Sequence, residues 1–370
     1  METTLTKITV QTQILQDLVA RAFKACTLQP LLPTTTYMQV KVVGAKLYVR
    51  STDNVNSLTL FVETNQPDFE MVVDAKLFAS IISKITTPEI SLVVEDTKVT
   101  IEGNGKYNMV YSTDVDGSKV IFPEPVADTS GVPCIISGQE LKSILELNKA
   151  CKADNKEVPC MFNYYAYSGG VITTNEFKAC FNPVKLTNTP ISIPANVMEL
   201  VTAVVSGKGE ISVYQTEKNI IFTSDDAILL AEKASQADVD KFPAENLLEV
   251  FATVAELSTN INRTELLNAV DRISLFTSAY EQDKLKVVFR QNAVDLQSQS
   301  TGTTETVNYM ADAEHQLPEN TENTIFVDSK YLKAILTACS EEKILVKFGG
   351  ETDGVQVHCG DVKLILGGLD

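Results

Sequence analysis

Asp74-Ala-Lys-Leu-Phe-Ala-Ser-Ile-Ile82 and Asp328-Ser-Lys-Tyr-Leu-Lys-Ala-Ile-Leu336 are two versions of one segment. Each follows a valine, Val73 or Val327, and Leu77, Phe78, Ile81 and Ile82 of the first correspond to Tyr331, Leu332, Ile335 and Leu336 of the second. That spacing places the apolar residues on one face of a helix. Pro194-Ala-Asn-Val-Met-Glu-Leu-Val201 is a third, looser version, and the offsets between the three are 120 and 134 residues.

A second helical pattern recurs upstream of each copy. Leu15, Leu18 and Val19 stand at i, i+3 and i+4, and Leu141, Ile144, Leu145 and then Leu266, Ala269, Val270 repeat the triplet. Polar residues suited to helix N-caps precede each: Thr12, Ser137 and Asn262. Between the helices lie short alternating runs broken by turn residues, such as 38–43, Gly44-Ala45 and 46–50. After the second helix comes a hairpin-like pair in each case: 90–94 with 98–102, 210–214 with 219–223, and 344–348 with 354–358. Phe122-Pro123 and Phe242-Pro243 read as linker starts. The pattern predicts an α+β chain of three repeated units, 1–129, 130–255 and 256–370, each helix-strands-helix-hairpin with antiparallel sheets and helices on one face.

Composition narrows the function. The 370 residues are 44% hydrophobic and 21% charged, and no apolar run approaches the ~18 residues a membrane helix needs. The start has no basic segment followed by an apolar stretch, so the cytoplasm is the expected compartment. Two histidines and no tryptophan leave few groups for acid–base or metal chemistry. Seven cysteines without CxxC spacing read as reduced, mostly buried thiols. No phosphate-binding loop is present, Gly103-Asn-Gly105-Lys106 reads as a hairpin turn, and Asp225-Asp226 reads as another turn rather than a catalytic pair. His358-Cys359 is too few ligands for zinc. No catalytic residue, metal or cofactor is expected.

Forty-eight acidic against 31 basic residues give a net charge of −17, which argues against nucleic acid if spread evenly. It is not spread evenly. The six helical windows (12–27, 74–85, 138–154, 194–208, 263–277 and 328–339) hold 12 basic and 9 acidic residues, a balance of +3 against −20 elsewhere. On a common surface the helices would present Arg21, Lys24, Lys76, Lys84, Lys142, Lys149, Lys152, Lys208, Arg263 and Arg272, with Lys330 and Lys333. Six helices side by side at about 8–10 Å spacing enclose nothing, whereas twelve, from two chains, give a circumference of about 100–120 Å and a hole wide enough for a duplex.

Three such units in one chain, with Phe-Pro at unit ends and Asp328-Ser-Lys-Tyr331 in the third, resemble the bacterial DNA polymerase III beta subunit, the sliding clamp. The resemblance implies helices inside and sheets outside a homodimeric ring around double-stranded DNA, held without sequence specificity. It implies no chemistry of its own, and as partners a clamp loader, a replicative DNA polymerase and other proteins bearing clamp-binding motifs. By position it implies a peptide cleft lined by Phe162, Thr174, Phe177, Lys178, Ala179, Pro243, Leu247, Leu248, Asp328, Tyr331, Leu364, Leu366 and Leu369. The chain departs from the family at Thr174-Asn-Glu-Phe-Lys-Ala179, where Thr-Asp-Gly-His-Arg-Leu is common, and at Leu366-Gly-Gly-Leu-Asp370, where a Met-Pro-Met-Arg-Leu type run is usual. A divergent or phage-encoded member with altered peptide preference is the expectation. The alternative is an acidic, β-rich scaffold that encircles no DNA.

Overall fold

A computed structural model describes residues 6–29, 31–95, 98–112, 118, 120–154, 159–205, 209–253, 255, 257–277, 283–298, 301–308, 310–311, 321–349 and 354–369. The chain forms two compact units, Met1–Gly138 with Asn196–Lys233, and Gln139–Ala195 with Ala234–Asp370. The sequence segment 130–255 contributes to both.

In the first unit one sheet orders β1 (Thr6–Gln11), β6 (Glu89–Val94), β7 (Lys98–Glu102) and β8 (Lys106–Val110). A second orders β5 (Phe69–Asp74), β2 (Tyr37–Val43), β3 (Lys46–Thr52), β4 (Ser57–Glu63), β16 (Ala227–Glu232), β15 (Asn219–Thr223), β14 (Glu210–Gln215) and β9 (Cys134–Ser137). Neighbours pair antiparallel. The β2–β3 turn is Gly44-Ala45, both at positive φ (59° and 62°), the two-residue connection whose twist matches the flanking strands. Gly103-Asn-Gly105 turns β7 into β8 as the sequence implies, closed by the Gly103 amide donating to the Gly105 carbonyl at 3.0 Å.

Helix α1 (Thr12–Phe23) buries Leu15, Leu18, Val19 and Ala22 and packs on β3, β4 and α2 (Ala75–Ile82). Thr12 does not cap this helix as expected: Gln11 holds the cap position without a side-chain bond, and the Thr12 hydroxyl donates to the Thr87 carbonyl at 2.5 Å. Asp74 caps α2 by accepting from the Leu77 amide at 2.7 Å. Helix α6 (Ala195–Val201) fills the place of the second helix in the middle segment.

In the second unit a nine-stranded sheet orders β13 (Ile191–Ile193), β10 (Tyr164–Tyr167), β11 (Gly170–Thr174), β12 (Lys178–Asn182), β25 (Val362–Gly367), β24 (Gly354–Cys359), β23 (Lys343–Phe348), β17 (Leu257–Asn262) and β21 (Met310–Ala311). A four-stranded sheet orders β20 (Thr304–Asn308), β19 (Ala293–Ser298), β18 (Lys284–Phe289) and β22 (Asn323–Asp328). The expected helix at 138–154 is α3 (Gly138–Ser143), a π-turn (Ile144–Asn148) and α4 (Lys149–Cys151). Its π-turn directs Asn148 inward, where its carboxamide donates to Val171 and Thr173 while Thr173 donates to its carbonyl at 2.7 Å. Helix α9 (Arg263–Ile273) starts on Asn262, which accepts from the Glu265 amide, and α10 (Ser329–Ala338) starts on Asp328, which accepts from Lys330 and Tyr331.

Phe242-Pro243 does not open a polar linker: Phe242 is buried and Pro243 caps α8 (Ala244–Ala252), because a helix start tolerates proline's missing N–H. Short α5 (Pro159–Phe162) and α7 (Gln236–Lys241) likewise escaped the periodicity reading. Nor are all cysteines reduced. Cys339 at the end of α10 and Cys359 at the end of β24 form a disulfide, their Cα atoms 6.0 Å apart, while Cys26, Cys134, Cys151, Cys160 and Cys180 are free.

Candidate functional site

The basic helix residues divide by what they touch. Lys24, Lys76, Lys84 and Lys149 are exposed, and among the described residues none of the four enters an ion pair, though Lys24 donates to the Thr202 hydroxyl at 3.0 Å. Lys152 is half-buried, its ammonium 4.4 Å from the Phe162 ring centroid. Lys142 pairs with Glu146 at 3.7 Å, Lys330 with Asp283 at 2.6 Å, and Lys333 with Asp271 at 2.8 Å. Arg272 forms a forked ion pair with Glu305 on β20, its Nε 3.0 Å from Oε1. Lys208 lies outside the described residues.

Arg21 and Arg263 serve the fold instead. Arg21 is 8% exposed and is clasped by Asp226 at 2.7 Å, by Asp17 at 2.9 Å and by the Ala203 carbonyl at 2.8 Å. Burial works against its charge, but the hydrogen bonds to Asp226 and Asp17 outweigh it and hold the guanidinium pKa above its ordinary value. A helix-face count cannot separate a lysine in water from an arginine committed inward, so Arg21 leaves the DNA-facing set. Its partner Asp226, read only as a turn residue, was missed because the two lie 205 positions apart. Arg263 donates to the Glu341 and Leu336 carbonyls, at 2.9 and 3.2 Å, and so ties the start of α9 to the end of α10.

The cleft residues all belong to the second unit, but the sheet splits them between its faces. Directly opposed residues of an antiparallel pair share a face, and successive residues alternate. Ala179 opposes Ile365, and both pack with Leu247, Leu248, Ile172, Phe242 and Phe251 under α8. Tyr165 stacks on Phe242 at 4.6 Å and Phe181 tilts against Phe251 at 5.7 Å, aromatics that the resemblance did not supply. Lys178 opposes Leu366 and Cys180 opposes Leu364 on the other face, where Leu364 and Leu366 are almost wholly buried in the core that includes α10.

On that α10 side three side chains make an aromatic–cation group with Phe177 exposed and the Lys178 side chain buried at 6% exposure. Phe177 is 53% exposed and lies 6.4 Å from the half-buried Tyr331 ring, stacked, and the Lys178 ammonium sits 4.4 Å over the same ring. The Phe177 carbonyl accepts from the Gly367 amide at 2.8 Å, which anchors the tail strand to this loop. Asp328 caps α10 beside them, and half-burial together with nearby Asp283 raises its carboxyl pKa despite the two amides it accepts from. Thr174 is buried, its hydroxyl donating to the Lys178 carbonyl, so it shapes the 174–178 turn. Phe162, Pro243 and Leu369 are half-buried.

Residues 6–115 match the family model of the DNA polymerase III beta subunit, N-terminal domain. The whole chain superposes on solved bacterial clamps. It has the sliding-clamp fold. Against the beta subunit of Thermotoga maritima the TM-score is 0.80 at 16% identity, covering 99% of both chains. The sliding clamp of Bacillus subtilis gives 0.80 at 15%, again over 99% of each, and the beta subunit of Streptococcus pyogenes 0.81 at 15%, over 98% of this chain and 99% of that one. No curated protein matches the chain in sequence. Low identity over complete coverage is what a fold carried by periodicity, caps and strand register permits, since those survive replacement of most side chains. No described helix is long and apolar enough to cross a membrane.

Proposed function

We propose that the chain is a sliding clamp: a homodimeric ring of six sequence units, 1–129, 130–255 and 256–370 from each chain, that encircles duplex DNA in the cytoplasm and tethers a replicative polymerase without chemistry of its own. The observation that carries this reading is the match over nearly the whole length of solved clamps. Lys24, Lys76, Lys84, Lys149 and Lys152 are the residues assigned to the DNA, with Lys142 and Arg272 contributing only as charges already balanced. Lysines free of carboxylate partners suit loose phosphate contact, which carries affinity but no sequence information.

Two edge strands support dimerisation. Among the described residues strand β8 pairs only with β7 and β20 only with β19, so each presents a backbone edge. The edges also expose apolar surface: Tyr107 at 39% and Val110 at 74% on β8, and Leu275 at 81% and Phe276 at 45% in the turn Ser274–Phe276 just past α9, whose end the Arg272–Glu305 pair brings beside β20. We assign the interface to β8 of one chain meeting β20 of the other, twice per ring.

Loading the chain on nicked circular DNA with its clamp loader tests the reading. The protein is expected to stay on the circle at high salt and to leave when the circle is linearised. Equal loss from circular and linear DNA overturns encirclement and favours the scaffold reading. The triple variant Lys76→Glu/Lys84→Glu/Lys149→Glu is expected to stay on a closed circle once loaded. It should load more slowly, and its DNA affinity should fall less steeply with salt, by about 3 in log–log slope.

The α10 side of the cleft is assigned to partner peptides. Phe177 offers an exposed ring, Tyr331 and Lys178 a cation–π floor, and the 174–178 turn is held rigid by its own hydrogen bonds. Tyr331→Ala is expected to weaken binding of a peptide from the tail of the partner polymerase about 30-fold, the scale of an interface hot spot. Fluorescence polarisation with the labelled peptide reads this directly, and an unchanged affinity places the contact elsewhere.

A further inference from the structure

The Cys339–Cys359 disulfide is not alone. The Glu341 carboxylate stands with it, one ligand atom from each of the three residues lying within 4.8 Å of the other two. Glu341 Oε2 is buried and among the described residues accepts no hydrogen bond, an expensive state for a carboxylate oxygen unless something cationic reaches it. We propose that Cys339, Cys359 and Glu341 form a redox-gated site for one thiophilic divalent cation, Zn2+ in the first instance.

The frame holding these groups has supports besides the disulfide. Cys339 ends α10, Cys359 ends β24, and the loop between α10 and β23 is fixed by Arg263, whose Nε donates to the Glu341 carbonyl and whose amide donates to the Glu342 carbonyl, both at 2.9 Å. Gly360, at φ +57°, makes the turn under the Glu341 side chain: a Cβ there would meet its Oε1 at 3.9 Å. Around a tetrahedral ion two thiolates and a carboxylate oxygen sit roughly 3.5–4 Å apart. Side-chain rotation alone spans that with the cysteine Cα atoms 6.0 Å from one another. His358 does not join, because the strand turns it to the face opposite Cys359. Counting ligands along the sequence found the pair His358-Cys359, whereas the fold supplies Cys359 with Cys339 and Glu341.

Oxidised, the two sulfurs are bonded to each other and no thiolate is available. A dithiol reductant cleaves that bond by exchange, leaving two thiols on the protein and a disulfide on the reductant. The cation then displaces one proton from each thiol and takes the Glu341 carboxylate as third ligand, with water in the fourth position. Either link, disulfide or metal, joins the end of α10 to the β24–β25 hairpin.

The test uses the full chain, reduced with a dithiol, freed of reductant under nitrogen and titrated with Co2+ as the optical probe. One equivalent is expected to bind with thiolate-to-cobalt charge transfer and the visible bands of a tetrahedral site, and Zn2+ should displace it. The oxidised chain should show neither. Glu341→Gln should keep the charge transfer and lose at least the ~10-fold in affinity that even an outer-shell partner is worth. The proposal fails if the reduced chain takes up no cobalt, or if Glu341→Gln binds as tightly as the parent. It also fails if Cys339→Ser/Cys359→Ser, which retains the five other thiols, still shows the charge-transfer band. Comparing the oxidised and reduced parent needs no variant, so a folding defect in any of them leaves the test intact.

Discussion

Val110→Asp is expected to turn a two-chain particle into a single chain at micromolar concentration and to abolish retention on nicked circular DNA, with the far-ultraviolet circular dichroism unchanged. Leu275→Asp should do the same. Both residues are exposed in the single chain, at 74% and 81%, so a charge there is already in water and costs the fold no more than about 0.5 kcal/mol. In an edge-to-edge interface the same carboxylate would be desolvated without a partner, at a cost of about 2 kcal/mol or more. A ring of two chains contains that contact twice, so the penalty doubles to about 4 kcal/mol, close to a thousandfold in the dimer constant. Sedimentation equilibrium or mass photometry measures the state directly. If Val110→Asp stays a two-chain particle, β8 is not the interface. If it becomes a single chain yet stays on the circle, ring closure is not what retains it.

What could be read from the sequence was whatever recurs locally. Asp74 and Asp328 open matching segments of the sequence, and in the structure each caps its helix through backbone amides. Gly44 announced the hairpin because glycine takes positive φ freely, and Ala45 follows it at φ 62°, a conformation its Cβ disfavours and the turn imposes. The six helical windows all contain helices for the same reason: an apolar stripe of period 3.6 is a signal within one segment. What escaped reading joins residues far apart. Strand β12 pairs with β25, Lys178 against Leu366, and β4 pairs with β16, Leu60 against Ala227, and neither partner carries a mark of the other. That is why the cleft residues carried over by position divided into two faces: membership depends on a register between strands more than 180 residues apart. The disulfide was invisible on the same grounds, since Cys339 and Cys359 are brought together by the end of α10 meeting the end of β24.

Arg21 shows most sharply how such long-range pairing redirects a residue, and it yields the second large effect. Arg21→Ala is expected to destabilise the first unit by about 2–3 kcal/mol, lowering its melting temperature by about 5–10 °C. The truncation strips Asp226 of its two guanidinium bonds and the Ala203 carbonyl of its donor. Losing one partner of a fully buried pair costs about 3–5 kcal/mol, and the lower figure applies because the Asp226 side chain keeps 32% exposure and can recover some water. Asp17, at 60% exposure, adds little. Asp226→Leu alone should cost less, because Arg21 keeps Asp17 and the Ala203 carbonyl. The double variant Arg21→Met/Asp226→Leu removes both charges and replaces them with apolar volume, so it should recover most of the loss. Well below the melting temperature, Arg21→Ala should load and stay on circular DNA like the parent. A DNA-facing arginine predicts the reverse pattern: stability unchanged, loading impaired and no rescue by the double variant. Thermal melts of the four proteins, paired with the nicked-circle measurement, decide between the two roles in one set of experiments.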